Sequence, residues 1–245
     1  RRRIKSVTNT RKITRAMKLV AAAKMRKATE KATQAAPYEQ TLSRVINRVV
    51  AAEEDIEHPL LTVPKNDVDI IMVVISTDRG LCGSFNSQLF KHVSQELDQY
   101  AAAEKKVHLI LYGRKVKGFF KNKTYAILDQ YEGLAPVDFA QASKDLSERL
   151  VVSLQENACE KTVICFNNYQ SALVQTPVKS QLLPMSIDSG SDSDVEEHHG
   201  EYLYEPGGET ILNTLLPMAL QSKILQAFLE TEAGEQSARM QAMDS

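Results

Sequence analysis

The chain has 245 residues, with 30 Lys and Arg against 31 Asp and Glu for a formal net charge of -1, room for one or two domains of roughly 100–200 residues. Three cysteines, Cys82, Cys159 and Cys165, are an odd set without CxxC spacing, which argues against a disulfide framework or structural zinc site and fits a reducing compartment. No apolar run approaches the ~20 residues of a membrane span, and no secretory signal is visible.

Charge is distributed unevenly. Arg1 to Thr29 holds eleven basic residues and no acidic one, whereas Asp188 to Glu209 holds eight acids and no Lys or Arg. One end of the chain seeks an acidic partner and a remote segment repels one.

In chain order, residues 1–58 read as one long helix. Ile13, Met17, Val20, Ala28, Ala32, Ala35, Leu42, Val45 or Ile46, and Val49 follow three- and four-residue steps, a narrow apolar stripe on a polar helix. Pro37 should kink it, and His58-Pro59 should stop it. About 50 residues at ~1.5 Å rise reach ~75 Å, too long to be covered by one small core. Such a helix needs an equally long partner.

Residues 68–184 alternate between strand and helix patterns. Strands are expected at Asp69–Ile75, Val107–Tyr112, Thr162–Phe166 and about Val178–Leu183. Helices are expected at Asn86–Tyr100, Arg114–Phe120 and from Pro136 through Leu154. This alternation implies a Rossmann-like, largely parallel sheet. Residues 185–206 are acidic and too polar for a core, and read as a mobile excursion. Residues 207–245 carry a second stripe, through Ile211, Leu215, Met218, Leu225, Leu229, Gln236, Met240 and Met243, with Pro217 and Gly234 as weak points. The two thin, Ala- and Met-rich seams suit an antiparallel coiled coil. The fold class is therefore α/β, with the terminal helices paired beside the central domain.

Between the first strand and its helix lies STDRGLCGSFN, Ser76 to Asn86. A P-loop needs GxxxxGK[ST] and a dinucleotide site GxGxxG; here Gly80 and Gly83 are separated by Leu81-Cys82 and no Lys follows. A packed structural turn formed by Arg79, Gly80, Cys82 and Gly83 is the better reading. Cys82 lacks an adjacent base, although Arg79 could lower its pKa, and reads as a small buried thiol. His198 and His199 are sequence neighbours and would point apart on a helix, which makes them solvated imidazoles rather than a metal pair. No catalytic, cofactor or metal constellation emerges. The basic N-terminal stretch could meet nucleic-acid phosphates or an acidic protein surface; the thin Ala/Met stripe tips the balance to a docking shaft.

Three stretches together resemble the gamma subunit of F-type ATP synthases. TRKITRAMKLVAAAKMRKA (Thr10 to Ala28) is similar to that family's N-terminal shaft helix, STDRGLCGSFN to its central-domain signature, and LETEAGEQSARMQAM (Leu229 to Met243) to its C-terminal shaft helix. YLYEP (Tyr202 to Pro206) resembles the foot segment, especially of bacterial members. The resemblance implies an axle inside a hexamer of alpha and beta subunits, resting with epsilon on the membrane c-ring. It further implies a chain that is not catalytic, binds no cofactor, and lies peripherally on the cytoplasmic face of a bacterial plasma membrane.

Carried over by motif, Met17, Lys18, Lys24 and Arg239 match shaft positions that face the hexamer, and Tyr202, Tyr204 and Glu205 match the foot near the c-ring and epsilon. Ser84 stands where many members have glycine or a small apolar residue. No cysteine-bearing insert of the chloroplast kind is present. Against the family pattern, Arg1 begins inside the usual start and Ser245 stops short of the usual C-terminal helix, as in a trimmed chain. A basic coiled-coil nucleic-acid-binding protein is the alternative from another class, and a small α/β enzyme trails both.

Overall fold

The computed structural model describes residues 1–52, 58–64, 69–156, 158–186 and 207–244. Its first element, α1 (Arg2–Ala52), is one unbroken helix that continues through Pro37. The buried residues Ala21, Ala28, Ala32, Leu42, Ile46 and Val49 all fall on two interleaved seven-residue series, 21-28-35-42-49 and 18-25-32-39-46, a coiled-coil seam. The expected stripe slips by one position at its N-terminal end. Ile13 and Val20 are 60% and 58% exposed, while Ala21 is 1% exposed, because the seam selects helices that approach closely over a methyl group and leaves bulky neighbours outside. Val45 likewise points out and Ile46 in.

The central sheet contains β1 (Ile70–Ile75), β2 (Val107–Tyr112), β3 (Ala126–Tyr131), β4 (Lys161–Tyr169) and β5 (Gln175–Leu183), ordered β3-β2-β1-β4-β5. All pairings are parallel except β4 with β5. All six β1 residues are buried, as expected where helices cover both faces of a parallel strand. Ile70, Met72 and Val74 pack with Leu89, Val93 and Leu97 of α2 (Phe85–Ala102) and with Val116 and Phe120 of α3 (Arg114–Phe120). Ile71, Val73 and Ile75 face the opposite core, with Leu146, Leu150 and Leu154 of α4 (Phe139–Gln155).

Strand β3 is an addition to the sequence reading. Its side chains are mostly exposed, so it lacks the apolar run that marks a buried strand, and it carries an irregularity in its pairing with β2. Helix α4 begins at Phe139 rather than at Pro136.

The last helix, α5 (Gly208–Ala242), departs most from the expectation of a thin seam. From Ala227 to Arg239 nearly every residue is buried, because α5 lies between α1 on one side and α4 and β4 on the other. Met218, assigned to the seam, is 41% exposed, and Leu212, Leu216, Leu220 and Ile224 are fully buried. Gly234 is not a weak point. A Cβ there would lie 2.8 Å from Cε2 of Phe85, so glycine permits α5 to reach the start of α2.

The two long helices run antiparallel. Lys18 Nζ meets Asp244 Oδ1 at 2.5 Å near one end, Glu39 lies close enough to Glu230 to act on its charge, and His58 Nε2 bonds Asn213 Oδ1 at 3.1 Å beyond the other end of α1. Because α1 has 51 residues and α5 has 35, the basic N-terminal turns of α1 project past the described end of α5.

Candidate functional site

The loop from Ser76 to Ser84 emerges at the carboxyl end of β1, where α/β folds commonly place ligands. Its polar groups are turned onto one another. Thr77 Oγ1 donates to the Arg79 carbonyl at 2.6 Å, and Asn86 Nδ2 donates to Thr77 Oγ1 at 2.8 Å and to Cys82 Sγ at 3.3 Å. The Asp78 carboxylate accepts the backbone N–H of Arg114 at 2.9 Å and of Gly133 at 2.8 Å, tying the loop to the ends of β2 and β3. Gly113 is required at this junction. Its φ is +100°, and a Cβ would fall 2.4 Å from the Ser76 carbonyl oxygen.

The Gly80 carbonyl accepts a hydrogen bond from Arg239 Nη2 at 3.3 Å. The same guanidinium pairs with Glu235 and donates to Gln236 Oε1 at 3.0 Å. Arg239 is thus spent inside the chain, and α5 clasps the loop. Burial raises the Glu235 carboxyl above its ordinary value; Glu232 and Asp78 add to the rise and Arg239 opposes it. Cys82 is 2% exposed, and its thiol is pushed up chiefly by burial, with Glu235 adding and Arg239 and Thr77 pulling back. The environment therefore suits an inert packing thiol, and Arg79, which is exposed, does not activate it. Gly83 takes φ +57° and Leu81 φ +61°, so the apex of the loop runs through the left-handed region.

Further along α5, aromatic and polar contacts fix the helix to the sheet domain. Phe228 packs edge-on to Tyr112 at 5.0 Å and stacks on Phe139 at 5.3 Å. Glu230 accepts from Asn168 Nδ2 at 2.8 Å and from the Tyr169 N–H at 3.4 Å. Ser237 and Gln241 both bond the Ala172 carbonyl on the β4–β5 turn.

The shaft candidates are dispersed. Met17 is half-buried and Lys24 exposed on α1, and Lys18 is engaged by Asp244. Arg239 joins Gly80 and Cys82 in the loop clasp. Tyr202, Tyr204 and Glu205 lie outside the described residues, as does the acidic stretch with His198 and His199. The clasp's other members, Asp78, Asn86 and Glu235, were missed by sequence reasoning. An Asp flanking the glycine loop and an i,i+4 Glu/Arg pair were the available signals, and neither says what it will face.

A family model described as ATP synthase matches residues 1–245. The ATP synthase gamma chain of Heliobacterium modesticaldum is 39% identical over 100% of this chain and 84% of the relative, and that of Pelotomaculum thermopropionicum is 38% identical over the same shares. The chain belongs to the ATP synthase gamma chain family. The resemblance to that family is borne out, and none of these relatives supports a nucleic-acid-binding protein. Among solved structures, the central stalk and c-ring assembly of the Tetrahymena thermophila mitochondrial ATP synthase matches with a TM-score of 0.66 at 22% identity, covering 95% of this chain and 98% of that one. The fold is thus shared at low identity.

Proposed function

We propose that this chain is the rotor shaft of a bacterial F-type ATP synthase, turning inside an alpha–beta hexamer and resting with epsilon on the c-ring at the cytoplasmic face of the plasma membrane. It transmits rotation and is not itself catalytic. The observation that carries this reading is the antiparallel pair of α1 and α5 built onto the sheet domain, with the basic N-terminal turns of α1 at one end of the pair. An axle of this kind gains long-range attraction from acidic surroundings without rigid bonds that would stop it turning. Among the described residues, no helix is long and apolar enough to cross a membrane.

In this reading Met17 and Lys24 face the hexamer, Lys18 steadies the helix pair while presenting charge nearby, and Arg239 braces the signature loop from inside. Tyr202, Tyr204 and Glu205 belong to the foot. The test is reconstitution with alpha and beta subunits of a bacterial enzyme lacking its own gamma chain, with a bead attached through a cysteine placed at the exposed Lys123. ATP should drive unidirectional rotation of the bead. An assembled complex that hydrolyses ATP while the bead only fluctuates would refute the shaft role.

A further inference from the structure

A small cavity of about 50 Å³ lies under α5 at the carboxyl ends of β1 and β2. At ~10–15 Å³ per water it has room for only about three to five waters, too little for a nucleotide. Its apolar wall includes Ile75, Phe139 and Phe228, and its polar lining includes Asp78, Glu232, Glu235 and Thr231. Arg239 offsets the charge of Glu235, and no cationic side chain is among the lining residues, so two negative charges remain. Thr231 supplies an independent sign of an occupant. It is 4% exposed, and its hydroxyl has no hydrogen-bond partner, although a helical threonine ordinarily bonds back to the carbonyl one turn earlier.

The cavity's chemistry selects among occupants. Among the described residues no group of three or more His, Cys, Asp or Glu is placed to hold a metal ion; water would satisfy the Thr231 hydroxyl but leave the two carboxylate charges uncompensated, whereas an organic cation answers both. Carboxylates and an acceptor hydroxyl suit the N–H donors of an ammonium, aromatic walls attract a cation, and the aliphatic wall suits a methylene stem. We propose that this cavity is a socket for the terminal ammonium of a lysine side chain presented by a partner protein. A protein side chain is favoured over a free amine because so small a cavity buries little of a ligand and serves best as one contact within a wider interface. The upward pull that Glu232 and Asp78 exert on the Glu235 carboxyl is the repulsion that an entering cation relieves.

The test uses the full chain with 13C-labelled Thr and Ile methyl groups, titrated with Nα-acetyl-lysine amide, its Nε-acetylated counterpart and n-butylammonium. Lysine amide should shift the Thr231 and Ile75 methyl signals saturably, in the millimolar range, and the neutral counterpart should not. Glu232→Gln and the near-isosteric Thr231→Val should each weaken binding at least tenfold with the remaining methyl spectrum unchanged. Equal shifts from the neutral counterpart, no saturable shift at all, binding of n-butylammonium without the lysine amide, or a folded Glu232→Gln with unaltered affinity would each overturn the proposal. None of these outcomes bears on rotation by the assembled complex.

Discussion

At Arg239, three acceptors from two elements converge on one guanidinium, and removing it strands a buried carboxylate. Arg239→Met should therefore destabilise the fold by about 3–5 kcal/mol, the usual cost of breaking one side of a buried pair. Much of that loss should return in the double variant Glu235→Gln/Arg239→Met, which urea unfolding of the three variants measures. The pH dependence has a definite sign. Because burial holds the folded Glu235 carboxyl above its ordinary value of 4.5, the native chain keeps a proton that the unfolded chain has released. Stability from this group is full below pH ~4.5, declines as pH rises through the raised value, and is level above it. Glu235→Gln should reduce that decline in melting temperature against pH, leaving the slope of the same sign from Glu230, whose carboxyl is also raised chiefly by burial. A variant whose slope matches the parent would show that Glu235 titrates normally.

The elements differ in how openly the sequence announces them. Strands β1 and β2 were legible because continuous apolar runs have no other stable use beside glycine loops, and α1 because no glycine precedes Gly80. Strand β3 was not, since a solvated edge strand needs no apolar pattern. The seam of α1 was legible from Ala28 onward and misplaced before it, because periodicity weights bulky residues and close packing weights small ones. This predicts a sharp contrast between neighbours. Ala21→Asp should lower stability by about 2 kcal/mol or more through burial of an unpaired charge, whereas Val20→Asp should change it by less than ~0.5 kcal/mol, a difference that thermal unfolding resolves. Helix α5 offers a second contrast between propensity and packing. Gly234→Ala would gain roughly 1 kcal/mol in an isolated helix, but Phe85 stands where the new methyl must go. The net effect should be a loss of about 1–2 kcal/mol, reversed in sign when Phe85→Leu is present.

For the whole molecule, the order of contacts fixes how the two ends of the chain meet. With Lys18 against Asp244 and His58 against Asn213, cysteines at Met17 and Met243 should be linked by mild oxidation, and cysteines at Met17 and Ile211 should not. Gel mobility under non-reducing conditions reads both, and the opposite pattern would mean parallel helices. The site was less legible than the architecture because the clasp exists only after folding. Gly80 and Arg239 are 159 positions apart, and no local rule connects a glycine turn to a distant helix.

Helix α1 packs along α5 and makes no comparable contact with any strand or other helix among the described elements, while α5 is also joined to α4 and β4. Mechanically, the two are springs in series rather than in parallel. Among the described elements, a torque applied to the N-terminal turns of α1 reaches the sheet chiefly through α5, so the softest link sets the compliance of the whole rod. That link is the alanine stretch between Ala21 and Ala35, where a smooth seam offers little resistance to sliding. The stiff end is the length of α5 held by Phe228, Glu230, Gly234 and Arg239. Twist should accumulate in the slender part and leave the signature loop undeformed.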